Sequence, residues 1–450
     1  MIDLPQGVSL IIRELETWGY EAWAVGGCVR DSLLGLLPHD WDVCTSARPE
    51  QVLSVFKGRR VIETGIRHGT VTVLLDGVPY EVTTYRTEGA YLDSRRPDSV
   101  SFVTSLEEDL SRRDFTVNAM AYHPQRGLYD TFGGAEDLKS KIIRCVGDPV
   151  LRFSEDALRI MRALRFSATY GFSIEEKTSQ ALMDLRDRLL LIAPERVREE
   201  LMRLIVGVGA ADVLRAYAKV LFAVLPELSP MHGHPQFNPY HHLDIWEHTL
   251  AAMQAIPPEP ALRLTMLLHD AGKPARFARD ENGIGHFYGH PKESCRLAGE
   301  IMIRLRFDNQ TLKTVEELVL HHDADIPPRR KNILRWLNRI GETRLWQLIK
   351  VMRADASAQH PDKREEKLLG IEELERCLAD VLQKGLPYRL KDLAVTGNDL
   401  SAVGIPPGPE LGRLLSTLLG KVMDGELPNE KEALLNAASK KQPTNAGEKA

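Results

Sequence analysis

The 450-residue chain contains no run of 18 or more apolar residues, so no helical membrane span is expected. Cysteine is scarce. Cys28, Cys44, Cys145, Cys295 and Cys377 are odd in number, scattered, and never form CxxC. That usage excludes a disulfide framework and a cysteine zinc site, and points to a reducing, cytoplasmic compartment. The N-terminal stretch lacks a basic segment followed by a long apolar block, so it does not read as a signal peptide. A basic excess is missing too: 58 Lys and Arg against 63 Asp and Glu leave a net charge of -5. Aromatic residues make up 6%, and no base-stacking motif appears among them. Those two absences argue against a chain that only binds RNA or serves as a scaffold.

Hydrophobic content of 43% and charged content of 27% fit an ordinary globular protein. At about 150 residues per domain, the length suggests about three domains. Residues 1–145 mix helix and strand. Glu21–Val25 reads as a strand ending in Gly26-Gly27, and Asp40–Val43 as the next strand. Gly69–Leu75 and Tyr80–Tyr85 read as a hairpin turning on Asp76-Gly77. Thr87–Pro97 is polar and reads as a mobile loop, and Glu107–Tyr122 reads as a helix. From Leu151 the pattern is almost wholly helical, with proline-rich breaks at 226–239 and 257–260. The expected class is therefore α+β. A head at 1–145 carries a small mixed sheet and is followed by an all-α neck at 146–225. A histidine-rich helical domain at 226–360 and a C-terminal helical module at 361–438 come next, then a disordered tail at 439–450.

Chemistry concentrates first in Val25-Gly26-Gly27-Cys28-Val29-Arg30-Asp31 and in Asp40-Trp41-Asp42. A glycine pair lets the backbone turn tightly and a triphosphate approach closely. Arg30, one turn on, adds charge-assisted bonds to phosphate. On a strand, Asp40 and Asp42 would share a face, at a separation of about 7 Å. Paired carboxylates at that spacing repel unless a cation lies between them, and Mg2+ is suited because it also bridges to substrate phosphates. Such a site serves in-line phosphoryl transfer.

The string AVGGCVRDSLLGLLPHDWDVCTSA resembles motif A of the class II CCA-adding enzymes and bacterial poly(A) polymerases, within the polymerase-beta nucleotidyltransferase superfamily. HGTVTV, YEVTTYRTEGAYLDSRRPD, EEDLSRRDFTVNAMAY, DTFGGAEDL and SEDALRIMRALRF follow in the family's order. The resemblance implies a polymerase-beta-like head, tRNA as the acceptor, and CTP and ATP as substrates. It implies catalysis by Asp40 and Asp42 through Mg2+, with Gly26, Gly27 and Arg30 at the nucleotide. Glu81 is a candidate third acid. Arg113 is implied to contact ribose or phosphate, and Asp114 to support ribose recognition.

An enzyme that adds CTP and then ATP without a template must read the base edge with side chains. Aspartate accepts from an exocyclic amino group, and arginine donates to ring nitrogen or carbonyl. Within Glu155-Asp156-Ala157-Leu158-Arg159, a continuous helix would make Asp156 and Arg159 neighbours. The resemblance assigns base selection to these two, with Arg162 and Arg165 also at the nucleotide. Arg165 lies about half a helical circumference from Asp156 and must reach by its length. A-only addition and poly(A) synthesis are the alternatives within the superfamily.

The stretch 235–355 holds His248, Leu267-Leu268-His269-Asp270-Ala271-Gly272-Lys273, His290, His321-His322 and Asp355. The order resembles the HD superfamily of metal-dependent phosphohydrolases. It implies one divalent transition metal on His248, His269, Asp270 and Asp355. His290 and either His321 or His322 are implied to hold a second metal or to contact phosphate. An activity on damaged or 2′,3′-cyclic 3′-ends follows as an expectation. A phosphohydrolase whose head merely binds nucleotide is the alternative from another class.

Overall fold

The computed structural model describes residues 2–88 and 100–439, which fall into two compact units. The loop expected over Thr87–Pro97 and the tail expected over Ser439–Ala450 lie outside the described residues, except for Thr87, Glu88 and Ser439. Among the described residues no helix is long and apolar enough to cross a membrane.

The first unit runs to Ser229 and takes in residues 258–260 and 301–307. Its strands are β1 (Ala22–Val25), β2 (Asp42–Thr45), β3 (Val61–Ile62), β4 (Thr70–Leu75), β5 (Val78–Thr84), β6 (Arg86–Glu88), β7 (Val100–Phe102), β8 (Ala121–His123), β9 (Gly127–Tyr129), β10 (Ile142–Ile143) and β11 (Ser173–Ile174). Seven of them form one sheet in the order β3-β4-β5-β2-β1-β8-β9. The sheet is mixed because β2 and β5 run parallel while the other neighbours are antiparallel. Asp76 and Gly77 both have positive φ, 51° and 82°, as a two-residue primed turn requires, and they lock the β4–β5 register.

Helices α1 (Gln6–Thr17), α2 (Gly27–Leu33), α3 (Pro49–Val55), α4 (Leu106–Ser111) and α5 (Gly134–Ser140) flank the sheet. Beyond it come α6 (Pro149–Glu155), α7 (Leu158–Tyr170), α8 (Glu176–Asp184), α9 (Pro194–Ile205), α10 (Ala210–Ala216) and α11 (Ala218–Val224). Trp23, Val25, Cys44, Tyr85, Leu110 and Ala121 share a buried cluster that ties α4 to the sheet. Leu164 of α7 and Leu201 of α9 are fully buried where those two helices pack.

Three local expectations are corrected here. Strand β2 begins at Asp42, and Asp40 sits in the bend before it. Its neighbour β1 turns away at Gly26, so the β1–β2 ladder does not reach Asp40. The helix expected over Glu107–Tyr122 stops at Ser111. A single 3-10 turn at Thr116–Asn118 follows, and Ala121–His123 then pairs with β1, because the buried Ala-Met-Ala-Tyr run satisfies the sheet's open side. The third correction is a break between α6 and α7. Asp156 has extended backbone, φ -137° and ψ 103°, and its Oδ1 accepts from Leu158 N at 3.0 Å. Aspartate caps a helix start in this way, and here it starts a new one.

The second unit comprises Pro230–Pro257, Ala261–Glu300 and the chain from Asp308. It is helical and holds all or most of each of α12 (Ile245–Ala255), α13 (Pro260–Leu268), α14 (His290–Arg304), α15 (Asn309–His321), α16 (Arg330–Ile340), α17 (Glu342–Ser357), α18 (Pro361–Gln383), α19 (Gly397–Ala402), α20 (Pro409–Asp424) and α21 (Lys431–Ser439). A short hairpin of β12 (Ala278–Arg279) and β13 (Gly285–His286) interrupts it. Fully buried Trp246 and Leu250 on α12, with Leu348 and Val351 on α17, contribute to its core.

Gly26 has φ 82° and ψ -126°, and a Cβ there would lie 2.8 Å from Arg113 Nη1. Gly26→Ala is therefore expected to cost about 1–3 kcal/mol. The loss should appear as a lower urea midpoint at unchanged m-value.

Candidate functional site

In the first unit, the end of β1, the start of β2, the segment after α4 and one face of α7 converge on a cavity of about 460 Å³. Gly27, Arg30, Asp42, Arg113, Asp114, Asp156, Arg159, Arg162 and Arg165 all line it. Seven arginines face three aspartates in that lining, so the cavity favours a polyanion. Gly26 lies beside it, its amide donating to Met120 O at 3.0 Å.

Each arginine is held from below. Arg30 is 7% exposed. It donates to Asn118 Oδ1 at 2.5 Å and to Asp31 at 2.9 Å, and lies over the Phe166 and Tyr170 rings. Arg112 and Arg113 both pair with fully buried Asp109. Burial pushes the Asp109 carboxyl up, but Arg113 and Arg112 outweigh it and hold it below its ordinary value. Asp114 receives two bonds from Arg162, at 2.8 and 2.6 Å, and others from Asn118 Nδ2 and its neighbour's amide. Although burial opposes ionisation, Arg162 and those donors bring its carboxyl down to about 2. Asp114 thus positions Arg162. Arg165 donates to Glu200 at 2.6 Å and stacks over Phe166 at 3.9 Å, so it reaches the cavity despite its angular offset.

Asp156 and Arg159, expected as neighbours on a continuous helix, stand at the helix break, where Arg159 N donates to Asp156 O at 3.0 Å while their side chains take other partners. Asp156 pairs with Arg196 of α9 at 2.8 Å, and Arg159 with Glu155 at 2.6 Å. Both still line the one cavity. Asp42 is raised to about 6, first by burial, then by the charges of Glu81 and Asp40, with Arg113 opposing. Glu81 is Asp42's register partner across the parallel β2–β5 pair. These neighbouring acids leave Asp42 short of positive charge, which suits a hard divalent cation. Asn118, Asp109, Arg196, Glu200 and Phe166 were missed from sequence. Asn118 carried a faint signal as a polar residue inside the apolar run VNAMAY.

In the second unit, His248 on α12, His269 and Asp270 after α13, and Asp355 on α17 bring one ligand atom each within 4.8 Å of one another. His248 Nε2 lies 2.9 Å from Asp355 Oδ1, and His269 Nε2 lies 3.2 Å from Asp270 Oδ2. Gly272 allows the close approach: a Cβ there would stand 2.5 Å from Ser294 N and 2.8 Å from His290 O. His290 and His322 join Asp270, whereas His321 packs edge-on against Trp336. Although burial acts against it, His269 is raised to about 10 by Asp270 and Asp355, so the centre calls for positive charge.

Comparison with known proteins follows the same division. Residues 22–144 match the sequence model described as the poly A polymerase head domain, and 296–438 match that of tRNA nucleotidyltransferase domain 2. A CCA-adding enzyme of Levilactobacillus brevis is 36% identical over 435 residues, covering 95% of this chain and 96% of its own. One from Leuconostoc mesenteroides is 34% identical over 426 residues, covering 94% and 93%. The crystal structure of the Bacillus stearothermophilus CCA-adding enzyme in complex with CTP superposes with a TM-score of 0.74 at 32% identity. The match covers 97% of this chain and 96% of that one.

Asp114 supplies a pH-dependent test of the cavity's electrostatics. Its lowered carboxyl stabilises the fold above its unfolded value, and that contribution is lost as pH falls toward the folded value of about 2. Asp114→Asn is expected to lower unfolding free energy by about 2–3 kcal/mol at neutral pH. The gap from wild type should close below about pH 4, read by urea denaturation across pH.

Proposed function

The chain belongs to the CCA-adding enzymes, and from that premise we propose that the arginine-lined cavity of the first unit is where it binds and joins nucleotides. The enzyme adds or repairs the 3′-terminal CCA of tRNA without a template, from CTP and ATP, releasing pyrophosphate. What supports the siting is that Asp42, Gly27, Asp156 and Arg159 border a single cavity rich in fixed positive charge.

In this reading the bare backbone at Gly26-Gly27 and the side chains of Arg30 and Arg113 receive the triphosphate. Asp114 holds Arg162 toward the nucleotide, and Glu200 does the same for Arg165. Asp156 and Arg159 read the base edge, accepting from the exocyclic amino group and donating to the ring. The tRNA 3′-oxygen forms a bond to the α-phosphorus as the bond to the leaving pyrophosphate breaks. The family implies a divalent metal; Asp40 and Asp42 are the residues that would hold Mg2+, which when bound supplies charge for the attacking and leaving oxygens. Location in the cytoplasm belongs to the same reading, carried by family membership.

Products from tRNA ending at the discriminator base, at C and at CC should each extend to CCA on a sequencing gel. Extension of the CC substrate alone, or a long A tract, would instead assign A-only or poly(A) synthesis. Asp40→Ala or Asp42→Ala should reduce labelled CMP incorporation to background with folding intact. Because the Asp42 charge opposes folding above about pH 6, Asp42→Asn should melt higher than wild type in EDTA. Mg2+ should raise the melting temperature of wild type only, and equal Mg2+ stabilisation of the variant would remove Asp42 from the metal site.

A second reading concerns the second unit. Its four-residue group of His248, His269, Asp270 and Asp355 supports a divalent transition metal and a phosphohydrolase activity, with 2′,3′-cyclic phosphate ends as the candidate substrate. Double substitution His269→Ala/Asp270→Ala should lower transition-metal content by about one equivalent or more, measured by mass spectrometry, and abolish cyclic-phosphate hydrolysis. Equal metal content and equal rates would overturn this reading.

A further inference from the structure

Phe166 of α7 is only 4% exposed, yet it lines the arginine-rich cavity, and three guanidiniums gather around its ring. Arg165 lies over the ring, its Cζ 3.9 Å from the centroid. Arg30 and Arg162 stand at 5.2 and 5.4 Å. All three fall within the reach of about 6 Å over which a cation is drawn to the negative face of an aromatic ring. Arg162 lies one helical turn before Phe166 and shares its face, whereas Arg30 comes from α2. The ring thus joins the arginine that follows the glycine turn to the arginines of α7.

The ring is itself held on two sides. Phe115 meets it edge-on, with centroids 5.7 Å apart at 81°. Tyr170, one turn further along α7, stacks with it at 6.2 Å and 14°. Tyr170 also lies 4.9 Å from Arg30 Cζ and donates to Asp31 at 2.9 Å. Carboxylates already pair with each guanidinium: Asp31 with Arg30, Asp114 and Glu200 with Arg162, and Glu200 with Arg165. Further carboxylates would hold the three more firmly but would cancel the positive field that a polyanion meets. A phenyl ring attracts cations through its quadrupole and carries no net charge. It also leaves the guanidinium N–H groups free to bond to phosphate oxygens.

We propose that Phe166 is a positioning residue for the nucleotide, and that the π face of its ring, rather than its bulk, sets Arg30, Arg162 and Arg165 in the arrangement that grips a triphosphate. The inference rests on the siting of nucleotide binding in this cavity and names the neutral group that organises it. Its effect falls on affinity for the charged tail of the nucleotide, so CTP depends on the ring more than CMP does.

The test replaces Phe166 in the full chain with phenylalanines carrying one, three and five ring fluorines, which weaken the negative face stepwise and change the ring's size little. Binding of CTP and CMP is read by titration calorimetry with Mg2+ present, and CMP incorporation into tRNA lacking CCA by initial rates. The dissociation constant and KM for CTP should rise at each step, reaching about tenfold with five fluorines, while kcat changes by less than about twofold. Affinity for CMP should fall by less than about threefold over the same series. In a chain carrying Arg165→Gln, five fluorines should cost less than about threefold in CTP affinity, because the nearest cation is gone. Phe166→Leu, which keeps apolar bulk and loses the ring, should weaken CTP by about tenfold or more. Unchanged CTP affinity across the fluorine series, with Phe166→Leu weakened, would reduce the ring to packing and overturn the proposal. CTP bound as in wild type by both Arg165→Gln and Phe166→Leu would overturn the siting of the nucleotide in this cavity, and the proposal with it.

Discussion

Positive charge cannot be gathered in a cavity unless something negative is fixed beneath it, and the first unit is organised around that constraint. Seven arginines face one cavity, and buried or half-buried acids hold them in place: Asp109 beneath Arg112 and Arg113, Asp114 beneath Arg162, Glu155 beneath Arg159, and Glu200 beneath Arg165. A buried carboxylate next to a guanidinium repays its desolvation only when its remaining lone pairs are also bonded. Asp114 meets that condition through Asn118 and the Phe115 amide. The result is a donor array in which little side-chain freedom is left to lose on binding a polyanion.

The second unit applies the opposite rule. Its centre gathers histidines and carboxylates around Asp270, with Lys273 beside them. Backbone carbonyls meet Nδ1 of His269, His290 and His322, and Gly272 brings the loop bearing Asp270 close to His290. In the head, Asp42 stands at the arginine-lined cavity with the charges of Glu81 and Asp40 acting on it.

Much of this was legible in the sequence where the signal is local. Asp76-Gly77 demanded a primed turn, and the hairpin is there. The glycine pair after β1 demanded a positive φ, and Gly26 has it. The motif order gave the family. Legibility failed where tertiary contacts decide the outcome. Helical periodicity ran straight through Asp156 because a capping side chain and Arg196, forty residues on, decide that the helix breaks there. Ala121–His123 continued a helical pattern but found an open sheet edge. Asn118 and Glu200 look like ordinary polar residues until the arginines they hold are seen in space.

The joint at Asp156 has a consequence for selectivity. A carboxylate inside a helix moves only when the whole rod moves. One seated between two rods, and tethered by Arg196 to a third, shifts whenever their mutual angle changes. If Asp156 reads the base as proposed, an acceptor on such a pivot could meet two differently shaped partners in succession, and the order of the added letters would then be a matter of mechanics as well as of hydrogen-bond chemistry.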